Sequence, residues 1–256
     1  MRTRQIEWSH ANRLLTSCLV WVALHSATVA LWAGPPFVTD DPEPVEYKHW
    51  EVYLAGLYNH ETGREEGMLP MVEVNYGVLP DMQLHLIAPG AYVHEGGDRA
   101  HYGYGDTELG IKYRFVHETD TLPQIGTFPL VEAPTGNESL GLGNGKTQVF
   151  LPLWLQKSLG KWTAYGGGGW WHNPGTGNQD FWRFGGVLQR KISDKLALGS
   201  EVYHETGSGA GEDGHTAFNL GGTYDFTEHQ HLLFSAGRDF YGPVRFACYL
   251  AWQFTF

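Results

Sequence analysis

The chain has 256 residues, with 34 Gly, 10 Trp and 14% aromatic residues but only 18% charged ones. A net charge of −11 with no basic stripe argues against a nucleic-acid partner. Two cysteines, Cys18 and Cys248, exclude a disulfide framework.

The N-terminus reads as an address. Arg2, Arg4 and Arg13 precede an apolar stretch that runs from Leu14 to Trp32, and the breaker Gly34-Pro35-Pro36 follows. Residues 1–33 therefore read as a secretory signal peptide, with cleavage after Ala33 or Ala30. His25, Ser17, Ser26 and Thr28 dilute the run and speak against a transmembrane anchor. No later stretch reaches the ~18 apolar residues of a spanning helix, so a membrane could be crossed only by strands. Residues 34–47 (GPPFVTDDPEPVEY) read as an extended Pro-rich segment.

From there to residue 256 the pattern is period 2. In Asp106 to Phe115, Leu109, Ile111, Tyr113 and Phe115 alternate with Glu108, Gly110, Lys112 and Arg114, so one face suits hydrocarbon and the other water. The same alternation predicts twelve strands, near 50–59, 69–78, 82–92, 105–116, 123–133, 146–157, 161–172, 180–191, 195–204, 215–226, 230–237 and 244–256. Most have the roughly 9–13 residues that a tilted strand needs to cross a bilayer. Connections alternate between short turns (79–81, 117–122, 158–160, 192–194, 227–229) and longer Gly-rich loops (60–68, 93–104, 134–145, 173–179, 205–214). Outward-facing Trp50, Tyr58, Trp162, Trp170, Trp182 and Phe226 suit interfacial girdles. A secreted β-sandwich also alternates, but it has no reason for long strands or for loop lengths that alternate with side. The expected fold is all-β: residues 48–256 form one antiparallel transmembrane barrel of about twelve strands.

On this register the lumen receives Glu51, Glu73, Glu108, Lys112, Arg114, Arg183, Glu201, Asn219, Asp225, Arg245 and Gln253. It also receives Tyr53, Phe150, Trp154, Tyr165, Trp171, Tyr203 and Tyr249. These residues either set the selectivity of a channel or pair with one another and fill the bore. The run Tyr165-Gly166-Gly167-Gly168-Gly169-Trp170 weakens its strand and marks a bend, or a place where the N-terminal segment or a loop packs closely. The last strand carries Trp252, Phe254 and Phe256 toward lipid and stops on an aromatic ring; such an end resembles an assembly signal read by barrel-assembly machinery.

Other motifs carry less. Gly143-Asn144-Gly145-Lys146-Thr147 lacks the first Gly of a phosphate loop, since Leu140 stands there, and a strand follows it. The triplet His-Glu-Thr at 60–62, 117–119 and 204–206 could hold a metal, yet the topology separates His117 from His60 and His204. Polar strand ends explain them, and neither a metal nor another cofactor is expected. For a lipid hydrolase, Ser200 near Glu201 and His204 is the best nucleophile candidate, and the pattern is thin.

Gly105-Asp106-Thr107-Glu108-Leu109-Gly110-Ile111-Lys112-Tyr113-Arg114-Phe115, together with Phe37-Val38-Thr39-Asp40-Asp41, resembles outer-membrane barrels named as transporters of the phenol meta-degradation pathway. So do Glu132-Ala133-Pro134-Thr135-Gly136 and Leu142-Gly143-Asn144-Gly145-Lys146-Thr147. Gly34-Pro35-Pro36-Phe37 departs from the family's Arg-Pro-Leu type of start. The resemblance implies a barrel in the outer membrane of a Gram-negative bacterium that passes small, often aromatic, solutes; it supplies no catalytic or ligand residue. The expected partners are outer-membrane lipid, the assembly machinery and a small-molecule solute. The competing reading is a non-conducting barrel acting as a lipid-modifying hydrolase or a surface structural protein.

Overall fold

The computed structural model describes residues 36–256, so the expected signal peptide lies outside the described residues. Alternating apolar and polar residues make each strand two-faced, and closing the sheet gives one face to each solvent. Fourteen strand segments result: β1 (Trp50–Glu61), β2 (Arg64–Leu79), β3 (Met82–Glu95), β4 (His101–Tyr104), β5 (Thr107–Val116), β6 (Gln124–Thr127) and β7 (Leu130–Ala133). The series continues with β8 (Gln148–Leu159), β9 (Trp162–His172), β10 (Phe181–Lys191), β11 (Leu196–Glu205), β12 (His215–Thr227), β13 (Gln230–Tyr241) and β14 (Val244–Thr255).

They make twelve staves. β4 and β5 both pair with β3, and β6 and β7 both lie between β5 and β8. The second break falls at Phe128-Pro129, where proline has no N–H to give the ladder. β1 pairs with β14 from Glu51↔Thr255 to His60↔Phe246, which closes an all-antiparallel barrel. Trp50 and Phe256 exchange backbone hydrogen bonds of 2.7 and 3.0 Å at the seam. No unpaired edge is left along this seam, as hydrocarbon requires.

The loop expected at 60–68 is strand instead. β1 and β2 run into this stretch as far as a tight turn at Thr62-Gly63, with Gly63 in the left-handed region at φ 87°. The polar run Glu61, Arg64, Glu65, Glu66 hides the strand from a hydropathy pattern, and ion pairs of Arg64 with Glu66 along β2 and with Glu95 across to β3 support it. β13 and β14 likewise extend to a turn at Gly242-Pro243.

The outer face is apolar all the way round. Leu54, Val72, Leu86, Ile111, Val131, Leu153, Trp162, Leu188, Val202, Leu220 and Leu250 are exposed on eleven of the twelve staves. A soluble monomer does not expose a closed apolar band of this extent. Rings cap the band at both ends. Trp50 stacks near Tyr76 (4.3 Å) and Phe226 on Trp252 (4.9 Å) at the short-turn end, and Trp182 on Phe184 (5.8 Å) at the loop end.

Inside, residues 36–45 run through the lumen as irregular chain. Phe37 and Val38 are 1% exposed and Thr39 and Asp40 are 2% exposed. The segment leaves at the short-turn end, where the Lys48 N–H donates to the Gly77 carbonyl at 2.7 Å and β1 begins.

Candidate functional site

The inner face is polar and the lodged segment carries three carboxylates, so the interior is a system of charge pairs. Lys112 Nζ lies 2.9 Å from Asp40 and 3.7 Å from Asp41. Glu201 accepts the backbone N–H groups of Val38 and Thr39 and the side-chain amide of Asn219 at 2.7 Å. Lower down, Glu43 accepts from Gln124 and Gln156 (3.2 and 3.3 Å) and faces Arg114 at 3.6 Å. The Val45 N–H donates to Gln83 (2.9 Å), and Ser235 Oγ donates to the Pro36 carbonyl. Each irregular backbone group named here finds a partner, as a buried loop must.

Arg114 also reaches Asp81 at 2.7 Å in the turn between β2 and β3, and His117 reaches the other Asp81 oxygen at 3.0 Å. Partial desolvation would raise the Asp81 carboxyl, but hydrogen bonds and charge from Arg114 and His117 outweigh it and hold it below the usual range.

A second cluster joins Glu73, Asn75, His85 and Glu108. Asn75 donates to Glu73 (2.8 Å), the His85 Nδ1 meets Asn75 Oδ1 (2.6 Å), and its Nε2 meets Glu108 (2.9 Å). The Phe128 ring packs edge-on against His85 at 5.1 Å and lies 5.0 Å beneath Lys112 Nζ.

Toward the loop end, Arg183 pairs with Glu205 at 2.7 Å beside the stacked rings of Phe150, Trp171 and Phe181. Between these rings, the top of the N-terminal segment and the loops lies a cavity of about 340 Å³. Three loops interlock around this mouth. Asp106 accepts the Gly136 and Asn144 N–H groups at 2.8 and 2.6 Å, which ties down residues 134–145. Asn173 accepts from Gln148 (2.6 Å) and donates to the Ser208 carbonyl (3.1 Å).

Of the residues expected inside, Glu73, Glu108, Lys112, Arg183, Glu201, Asn219, Tyr53, Phe150, Trp154, Trp171, Tyr203 and Tyr249 are buried on the inner face. Gln253 is there too and donates to Tyr53 Oη at 2.8 Å. Glu51, Arg114, Tyr165 and Asp225 are partly exposed; Glu51 accepts from Tyr53 Oη (2.7 Å), and Asp225 pairs with His231 (2.7 Å). Arg245 is exposed at the loop-end rim, outside the bore. The register slips there: Val244 opposes Glu61 and Phe246 opposes His60, which leaves Arg245 as the extra residue of a bulge. Ser200 faces outward, and His204 Nδ1 is taken by Thr216 at 2.9 Å, so no nucleophile and base come together there. Phe254 and Phe256 are exposed and Trp252 half-exposed on the outer face of β14.

The Gly run forms ordinary ladder with β8 and β10. The N-terminal segment instead makes close approaches at Gly185 and Gly77, where an added Cβ would lie 1.8 Å from Thr39 Oγ1 and 1.9 Å from the Glu46 carbonyl oxygen. The partners missed in the sequence are Asp40, Glu43, Thr39 and Gln83. Their one signal was the carboxylates Asp40, Asp41, Glu43 and Glu46 in a segment placed just before a barrel with inward cations.

Comparison with characterised proteins of curated function found no match. Among solved structures, an outer membrane channel from Pseudomonas putida F1 is similar at TM-score 0.68 and 19% identity, covering 84% of this chain and 97% of that one. The KdgM porin is similar at 0.56 and 10% (80% and 99% covered), and the NanC porin at 0.56 and 8% (79% and 98%). Residues 52–253 match the model of the family described as "Putative MetA-pathway of phenol degradation", and the chain belongs to that family.

Proposed function

We propose that the chain is an outer-membrane channel that passes small, partly apolar solutes by diffusion, along a bore narrowed by its own N-terminal segment. The observation that carries this reading is the pairing of a closed apolar outer band with a charged inner face and a loop-end cavity. Hydrocarbon outside and polar groups inside are what a water-filled route through a bilayer needs. The named channel and porins of similar fold support the same reading. Twelve staves lie between barrels filled by side chains and the wide pores of 16–18 strands, which fits a narrow passage. Rings along the upper bore (Phe150, Trp171, Phe181) favour solutes with an apolar body.

The lodged segment favours a second reading, a barrel that stays shut. Proteoliposome swelling separates the two. Purified protein should admit single-ring solutes faster than protein-free vesicles do, and larger sugars no faster. Swelling equal to that of empty vesicles for every solute would leave the closed barrel standing.

A further inference from the structure

The loop-end cavity has a charge imbalance that the pairs around it do not relieve. Its lining includes six carboxylates, one guanidinium and His215. Glu205 is paired with Arg183 and Glu66 with Arg64. Glu61, Glu132, Glu212 and Asp213 stand in no ion pair among the described residues.

Glu132 is the telling member. It is 3% exposed, lines the cavity, and takes part in no hydrogen bond or ion pair among the described residues. On the ladder it lies opposite Glu108, a second carboxylate, with Gln148 on its other side. Like charges directly opposite on a sheet repel. Arg183 in the same lining attracts the Glu132 carboxylate from beyond ion-pair distance but is paired with Glu205, so a proton or a further cation is needed to neutralise this buried group. Exposed Glu212 and Asp213 at the rim raise the local concentration of cations, which favours the second route. Trp171 is stacked between Phe150 and Phe181 with Arg183 over it, but Phe181 and Tyr203 also line the space, and a ring attracts a cation while packing its apolar part. The volume of about 340 Å³ suits a small ligand.

We propose that this cavity binds an organic cation, an ammonium group carrying an apolar body of about one ring, with Glu132 as its counter-charge. The proposal deepens the channel reading and rests on it for the site's purpose as a solute station; binding itself is measured without conductance. Isothermal titration of the full chain in detergent would use benzyltrimethylammonium, whose charge is independent of pH, with benzenesulfonate as the ring of opposite charge. The first should bind, Glu132→Gln should weaken it at least tenfold, and the second should not bind. Equal affinity for the two probes, or a Glu132→Gln variant within twofold of wild type, would overturn the site. If Glu132→Gln loses the heat-modifiable migration of a folded barrel, Glu212→Gln with Asp213→Asn provides the test. These rim changes should weaken benzyltrimethylammonium several-fold at low salt, and unchanged affinity would count against the proposal. Binding by a protein that is silent in bilayers would keep the site and remove the channel; conductance without binding would do the reverse.

Discussion

Lys112 shows what a single inner-face charge does here. Its Nζ is held by Asp40 and Asp41 and rests over Phe128, and all but a small part of it is buried. Removing one partner of a buried pair leaves the other uncompensated, at a cost of about 3–5 kcal/mol. Lys112→Met should therefore free the N-terminal segment, seen as faster protease cutting within residues 36–48 of the folded barrel; unchanged cutting would show that the pair is not what holds it. Asp106 acts in the same way on a loop. Two backbone N–H groups depend on its carboxylate, each worth about 1.5–3 kcal/mol when the acceptor is charged. Asp106→Ala should loosen residues 134–145 and make them a new protease site while the barrel stays folded. Asp81 adds a pH dependence. Its carboxyl is held low by Arg114 and His117, so its contribution is full above the unfolded value of about 3.9 and is lost as pH falls through the lower folded value. Acidification to that range should weaken the turn-end contacts of Arg114, read as a lower unfolding midpoint that Asp81→Asn lacks. Inner-face charges such as Lys112, Arg114 and Glu201 were legible by period-2 counting, but their partners were not. Asp40 and Glu43 sit in a Pro-rich stretch with no periodicity, and such a stretch says nothing of where it packs. Glu132 escaped for another reason: its neighbours on the inner face, Phe128 and Leu130, are apolar, so polarity did not tell inside from outside.

At the scale of elements, alternation fixed the staves well because lipid on one side and water on the other enforce it strictly. It failed at the ends. Beyond the bilayer both faces of β1 and β2 are wet, so the strands run on through polar residues that read as loop. Glycine placement was legible as a residue type but not as a contact. The conspicuous run at 166–169 is ladder, and the glycines that make room for the N-terminal segment are single ones elsewhere. At Gly77 the obstruction is backbone, so a methyl group cannot be accommodated by turning a side chain. Gly77→Ala should detach the tail of the segment near Glu46 while the heat-modifiable barrel persists; a segment as protease-resistant as in wild type would show that this contact yields. The closing strand makes the other element-scale prediction. Phe256 bonds to Trp50 through its backbone and presents its ring outward. Deleting it should lower the amount of assembled barrel, by removing both the seam bonds and the terminal ring, and an undiminished yield would deny it that part.

For the whole molecule, closure follows from the constraint that hydrocarbon tolerates no unpaired backbone, and the polarity of the two faces from lipid outside and water inside. That constraint makes the fold of such a chain legible from sequence. The bore is not under it. What fills the lumen is decided by specific pairs between residues far apart in the chain, such as Lys112 with Asp40 and Glu201 with Val38 and Thr39. The central claim is that this barrel is a channel constricted by residues 36–45. Single-channel recording in planar bilayers tests it most directly, with residues 34–256 compared against a variant of the same span lacking residues 36–45. The account predicts small discrete steps for the first and steps several-fold larger for the second. An intact bilayer with both proteins inserted, or equal conductance from the two, would contradict it.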